Sequence, residues 1–248
     1  MIEVKPSTPR LGAESVGADI KRGPDFEVVR QAFTDYSVIT IRDQELTPDD
    51  QIAFAERFGT INVNRFFKKH QSHPKVALVL KEADQAEAIG ERWHTDHSYD
   101  VEPAMCSILH AIETPPVGGD TVFASMSAAY DALSPAFAKV LDTLNAWHSS
   151  RHAFGAVAAN SESSKSGRIE NAELATQDAL HPVVITHPLS GRKGIYVNPD
   201  FTTHIEGWNE DESASILNYL YEHCANPEFQ CRVSYRPGTV TMWDNRAT

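Results

Sequence analysis

Residues 93–99 read Trp-His-Thr-Asp-His-Ser-Tyr. Along a strand successive side chains alternate between faces, so a strand here would point His94 and Asp96 one way and Thr95 the other. One imidazole and one carboxylate on a shared face supply two legs of a metal site. Two histidines and one carboxylate with open positions are the donor set of non-haem Fe(II) oxygenases. A His-X-Asp triplet alone is far more often a solvated polar pair than a metal site, so the surrounding chain has to decide.

The chain has 248 residues, enough for one full hydrophobic core. Its formal charge of −12 argues against a nucleic-acid partner and against an anionic membrane surface. A small anionic ligand that answers to local arginines stays compatible with that charge. No apolar run approaches the roughly 18 residues of a membrane span, and the N-terminus lacks a signal-peptide pattern. The three cysteines, Cys106, Cys224 and Cys231, show no Cys-X-X-Cys spacing and suit a reducing cytoplasm.

Outward from residue 93, the preceding segment 81–92 is acidic and reads as a loop over the site. Segment 60–74 brings Asn62, Asn64, Arg65, Phe66 and Phe67, a polar and aromatic loop. Helices are expected over 24–36, from Phe26, Val29 and Phe33 at helical spacing, and from Pro48 to about 58, opened by Thr47-Pro48-Asp49-Asp50. Further helices are expected over 127–133, 134–144 and 210–221. Strands are expected at 37–41, 76–80, 104–112, 121–123, 181–187, 194–197, 229–235 and 239–243, with turns at Ser190-Gly191-Arg192 and Pro237-Gly238. The polar run 155–178 reads as an exposed, mobile insertion. With no repeat and no linker, 1–248 reads as a single domain, mainly β with peripheral helices, of sandwich or barrel type.

Several stretches taken together resemble the taurine dioxygenase / 2,4-dichlorophenoxyacetate dioxygenase family. They are residues 12–19 (Gly-Ala-Glu-Ser-Val-Gly-Ala-Asp), Arg42 to Pro48, Phe58-Gly59, Trp93-His94-Thr95-Asp96, Gly118-Gly119-Asp120-Thr121, His181-Pro182-Val183-Val184, Asn198 with Phe201-Thr202-Thr203, and Trp243 to Thr248. The resemblance implies a double-stranded β-helix, the jelly-roll core, and dependence on Fe(II), 2-oxoglutarate and O2. It makes His94 and Asp96 two iron ligands, and Thr121 a contact to the distal carboxylate of 2-oxoglutarate. The third ligand, a histidine, and the arginine that pairs with 2-oxoglutarate are expected beyond Thr248. A polypeptide that stopped at Thr248 would be expected to bind iron weakly and show little activity.

The implied reaction hydroxylates a small organic acid of aryloxyalkanoate, sulfonate or alkylsulfate type and gives succinate and CO2. It cleaves the carbon–heteroatom bond when the hydroxylated carbon bears the heteroatom. Asn64 and Phe67 stand where taurine-using members carry a histidine and a tyrosine, which argues against taurine itself. Arg65 is a candidate for the substrate's anionic group, Phe67 for its body and His97 for a further contact. Two other readings stay open: a non-catalytic relative that binds a small anion without iron, and a zinc hydrolase built on the same two ligands. Homodimers or homotetramers are common in the family and are carried over as an expectation.

Overall fold

Strand β12 (Thr239–Asp244) sits between β3 (Val38–Ile41) and β4 (Cys106–Ala111) and pairs antiparallel with both. Its Thr-Val-Thr-Met-Trp-Asp run suits a position covered on both faces: every residue except Trp243 is buried. With β1 (Glu3–Pro6) and β2 (Ala13–Val16) these strands form a five-stranded sheet of order β1-β2-β3-β12-β4. The computed structural model describes residues 2–82, 84–86, 89–155 and 162–248.

Three smaller sheets complete the β framework among the described residues. Strand β5 (Thr121–Ala124) pairs with β11 (Gln230–Val233). Strand β6 (Asn145–Ser149) lies between β7 (Asp178–Pro182) and β10 (Thr202–Ile205). Strand β8 (Val184–Thr186) pairs with β9 (Lys193–Ile195) around the expected 190–192 turn.

The helices that follow Thr47, Ser125, Ser134 and Asn209 begin where side-chain caps satisfy the first free N–H groups. Helix α1 (Asp25–Tyr36) packs Phe26, Val29 and Phe33 on the large sheet. Helix α2 (Pro48–Glu56) starts with a Thr47–Asp50 capping box. Helices α3 (Met126–Asp131) and α4 (Pro135–Leu141) are capped by Ser125 and Ser134. The short α5 (Arg151–Phe154) and α6 (Glu162–Lys165) follow, and then the long α7 (Glu210–Cys224), opened by an Asn209–Glu212 capping box. One core cluster joins α1, α2 and the large sheet. A second joins α3 and α7 to the smaller sheets through Leu141, Ile195, Ile205 and Leu220.

Four expectations need correction. Residues 93–96 are not in a strand, so the alternation argument does not apply to them. Residues 76–80 make only a single bridge, between Lys69 and Ala77, because Val79 and Leu80 remain half exposed rather than buried in a sheet. The strands flanking Pro237-Gly238 do not pair with each other: β11 goes to β5, and β12 goes to β3 and β4. Within the expected insertion, residues 156–161 lie outside the described residues. Residues 166–178, however, pack against 64–68: Glu170 N–H donates to Phe66 O (2.7 Å), and Asn171 Nδ2 donates to Arg65 O (2.9 Å). Ile169 and Ala175 join Phe66, Tyr99 and Phe201 in a shared apolar cluster.

Candidate metal and substrate site

His94 and Asp96 lie in an irregular segment, yet their side chains converge. His94 Nε2 stands 3.4 Å from Asp96 Oδ1, and both residues line a cavity of about 750 Å³. The imidazole is oriented from behind: its Nδ1–H donates to the Arg92 carbonyl at 2.8 Å, which leaves Nε2 facing Asp96. On the other side, Ser107 Oγ donates to Asp96 Oδ2 at 2.6 Å and leaves Oδ1 to the His94 side. Two ligand atoms at right angles around a metal, each about 2.1 Å away, stand about 3 Å apart. The observed gap is close to that, so this donor pair fits one metal ion. Gly90, with a positive φ of 73°, lies against the ring; a Cβ there would come within 3.2 Å of His94 Cε1.

The electrostatics point the same way. Burial disfavours a charged His94, but the Asp96 carboxylate more than offsets this and raises its pKa to about 9. Burial likewise works against an ionised Asp96, and its hydrogen bonds with His94 and Ser107 hold it well below the usual carboxylate range. A carboxylate kept ionised beside the imidazole offers its negative charge to a metal cation as well as to a proton. Among the described residues no cluster of three or more His, Cys, Asp or Glu side chains could hold a metal.

Thr121 lines the same cavity from the start of β5. Asn64, Phe67 and His97 line it too, and with Asp96, Leu109 and Trp243 they also border a second chamber of about 270 Å³. Thr121 does not reach that second chamber, whose walls include Ile52, Phe58, Met105 and Ile108. The Asn64 carboxamide is fixed by its oxygen, which accepts from the Phe66 and Phe67 amides at 2.8 and 2.9 Å; its Nδ2 is the end left for a ligand. His97 takes a left-handed backbone (φ 62°), and its Nδ1–H donates to Asp100 Oδ2 at 3.0 Å. That bond fixes the tautomer and leaves Nε2 free of it.

Arg65 is not brought to the cavity. Its guanidinium donates to Asp100 Oδ1 at 2.8 Å, and the expected contact with a substrate anion gives way to a supporting ion pair behind His97. Burial works against an ionised Asp100, but its bonds to His97 and Arg65 keep its pKa low. His181 and His187, which share a face only if 181–187 is one strand, are used separately. His181 Nε2 bonds to the Asp100 carbonyl, and His187 Nε2 bonds to Asp244. Sequence reasoning missed Ser107, Asp100 and Arg92 as partners of the site. The spacing His97-X-X-Asp100 was a local signal for one of them. Ser107 and the carbonyl of Arg92 carry no signal that a single sequence exposes.

The profile of the taurine catabolism dioxygenase TauD, TfdA family matches residues 3–248. The chain is 36% identical over 227 residues to an alpha-ketoglutarate-dependent 2,4-dichlorophenoxyacetate dioxygenase of Burkholderia sp. (strain RASC), covering 85% of this chain and 74% of that one. It is 30% identical to an alpha-ketoglutarate-dependent sulfonate dioxygenase of Saccharomyces cerevisiae, covering 99% of this chain and 61% of the relative. Across the relatives compared, the chain spans from 38% to 82% of their length. The crystal structure of a taurine dioxygenase from Burkholderia xenovorans superposes with a TM-score of 0.80 at 30% identity, covering 99% of this chain and 80% of that one.

Proposed function

This chain belongs to the TauD, TfdA family of Fe(II)- and alpha-ketoglutarate-dependent dioxygenases, and from that premise we propose that it hydroxylates a small organic acid of aryloxyalkanoate, sulfonate or alkylsulfate type. The observation that carries the reading is the His94–Asp96 pair, 3.4 Å apart in a cavity large enough for two small ligands. His94 and Asp96 are the two ligands these residues offer to the iron. We read the sheets as the walls of a double-stranded β-helix with the helices outside. The free cysteines suit a reducing cytoplasm, and the assembly is a homodimer or homotetramer.

Bound iron, with 2-oxoglutarate and O2, supplies the oxidising chemistry that puts a hydroxyl on the substrate carbon and yields succinate and CO2. The chain's own side chains do the positioning. His94 is kept in the metal-binding tautomer by the Arg92 carbonyl, and Asp96 is steadied by Ser107. The Thr121 hydroxyl donates to the distal carboxylate of 2-oxoglutarate. The substrate lies on the other side of Asp96, where its polar group meets Asn64 Nδ2 and His97 Nε2 and its body packs on Phe67. The second chamber, walled mostly by apolar side chains, takes the rest of an aryl or alkyl group and excludes water around the reacting carbon.

The test is succinate release from 2-oxoglutarate with Fe(II) and O2 across a panel of carboxylates, sulfonates and sulfate esters. At least one class is expected to stimulate oxygen-dependent release. Folded, metal-loaded protein that releases no succinate with any of them would favour the anion-binding, non-catalytic reading. Product formation with Zn(II) and without O2 would favour a hydrolase.

A further inference from the structure

Strand β5 begins at Thr121, which pairs across the ladder with Val233, the last residue of β11. Two residues further on, the chain returns Tyr235 to the same end of the ladder, and the tyrosine hydroxyl donates to Thr121 Oγ1 at 3.1 Å. The ring has little freedom. It packs with Trp243 against a buried cluster of Leu11, Val38, Phe123, Cys231 and Val233. The backbone beside it is pinned too: Arg42 donates to the Ser234 carbonyl at 2.6 Å and to Thr239 Oγ1 at 3.1 Å.

A threonine hydroxyl has one proton to give and two lone pairs to receive. With Tyr235 donating into one lone pair, the Thr121 proton is the part left for the cavity. The opposite arrangement, Thr121 donating to the phenol, would present only lone pairs to a ligand. A carboxylate accepts and does not donate, so a carboxylate at Thr121 selects the first arrangement. The phenol also polarises the threonine hydroxyl it bonds to, because hydrogen bonds in a chain strengthen one another.

We propose that Tyr235 is a positioning residue for the cosubstrate: through its hydrogen bond to Thr121 it aims that hydroxyl at the distal carboxylate and so favours a 2-oxo dicarboxylate over a 2-oxo monocarboxylate. The proposal rests on the reading of Thr121 as the contact to 2-oxoglutarate. It adds a residue 114 positions away in the chain that touches neither metal nor cosubstrate.

The experiment compares two ligands on the Mn(II)-loaded protein by titration calorimetry. One is 2-oxoglutarate. The other is 2-oxovalerate, which keeps the 2-oxo acid head and carries a methyl where the distal carboxylate would be. The proteins are wild type, Tyr235→Phe, Thr121→Val and the double variant. Tyr235→Phe is expected to weaken 2-oxoglutarate by about 3- to 10-fold, the range of one lost hydrogen bond. Thr121→Val should weaken it at least as much, and the double variant no further than Thr121→Val alone. The affinity for 2-oxovalerate should stay within about twofold throughout, since the bond acts only on the missing carboxylate. If Thr121→Val weakens 2-oxoglutarate and Tyr235→Phe does not, the positioning role is wrong while the reading of Thr121 stands. Should Tyr235→Phe weaken both ligands alike, its role is general packing and the proposal is overturned. If Thr121→Val leaves 2-oxoglutarate unaffected, the reading of Thr121 itself falls.

Discussion

At Asp244, 1% exposed, a charge is held in the interior by four hydrogen bonds. The Arg246 guanidinium donates twice, at 2.9 and 2.7 Å, its backbone N–H donates at 2.9 Å, and His187 Nε2 donates at 2.9 Å. The Ser190 amide donates to His187 Nδ1 at 3.1 Å, so the proton on the other nitrogen is available for Asp244. Burial alone would raise the Asp244 pKa; Arg246 and His187 outweigh it and hold the group below its ordinary value. Its contribution to stability is therefore complete above about pH 4, where the unfolded carboxyl titrates, and is lost as pH falls through the lowered folded value. Asp244→Ala leaves the Arg246 charge unpaired and is expected to cost about 3–5 kcal/mol in urea unfolding at neutral pH. A loss under 1 kcal/mol would show that the network is not holding the charge.

His148 behaves in the opposite sense. It is fully buried, stacks on Tyr196 and meets His181 edge-on; burial first, and then the nearby His181, push its pKa down to about 3. Unfolded, it would titrate near 6.5. The folded state therefore loses stability as pH drops from about 6.5 toward 3, because only the unfolded chain takes up the proton. His148→Phe keeps the stack and removes an Nε2 that has no hydrogen-bond partner. That variant should show a flatter decline in stability over this window when unfolding is followed by circular dichroism, and an unchanged slope would refute the assignment.

The connections between elements carry their own constraint. Gly238 sits between Arg236 and β12 with φ 81°, and a Cβ there would approach Gln44 O at 3.1 Å. Its carbonyl accepts from the Gln44 backbone N–H and its N–H donates to Ala111 O, each at 2.8 Å, which ties the start of β12 to the end of β4 and to the loop that follows β3. Gly238→Ala forces a left-handed, crowded alanine into this joint and should destabilise by about 1–3 kcal/mol. Unchanged thermal unfolding of that variant would mean that the joint is dispensable. Helix starts were legible in the sequence because their signals are local: Thr47, Ser134 and Asn209 each cap within three residues. Strand β6 was not legible. Its Asn-Ala-Trp-His-Ser run has no apolar alternation, and it is a strand because β7 and β10 flank it. Residues 93–96 were misread as a strand, yet the two ligand candidates still converge. The Arg92 carbonyl and Ser107 orient them, where strand periodicity was expected to.

Across the whole molecule, the site lies where segments distant in sequence meet: residues 64–67, 90–97, β4, β5 and β12. A single sequence supplies the candidates His94, Asp96, Thr121, Asn64, Phe67 and His97. It does not show how long polar side chains pair in space, which is why Arg65 was expected at the substrate and is found on Asp100. The asymmetry of the cavity also emerges only in three dimensions. Thr121 lines the larger space alone, while Asp96, Asn64, Phe67 and His97 face both chambers; in the proposed reaction, cosubstrate and substrate take these separate sides of one metal position. The proposed reaction depends on that metal position. The most direct measurement is calorimetric titration of anaerobic Fe(II) into the purified protein, alongside His94→Ala and Asp96→Ala. One ion per chain should bind to the wild type, and each variant should lose most of that affinity while keeping its circular dichroism spectrum. Equal Fe(II) binding by all three proteins would contradict the assignment of His94 and Asp96 as the iron's ligands.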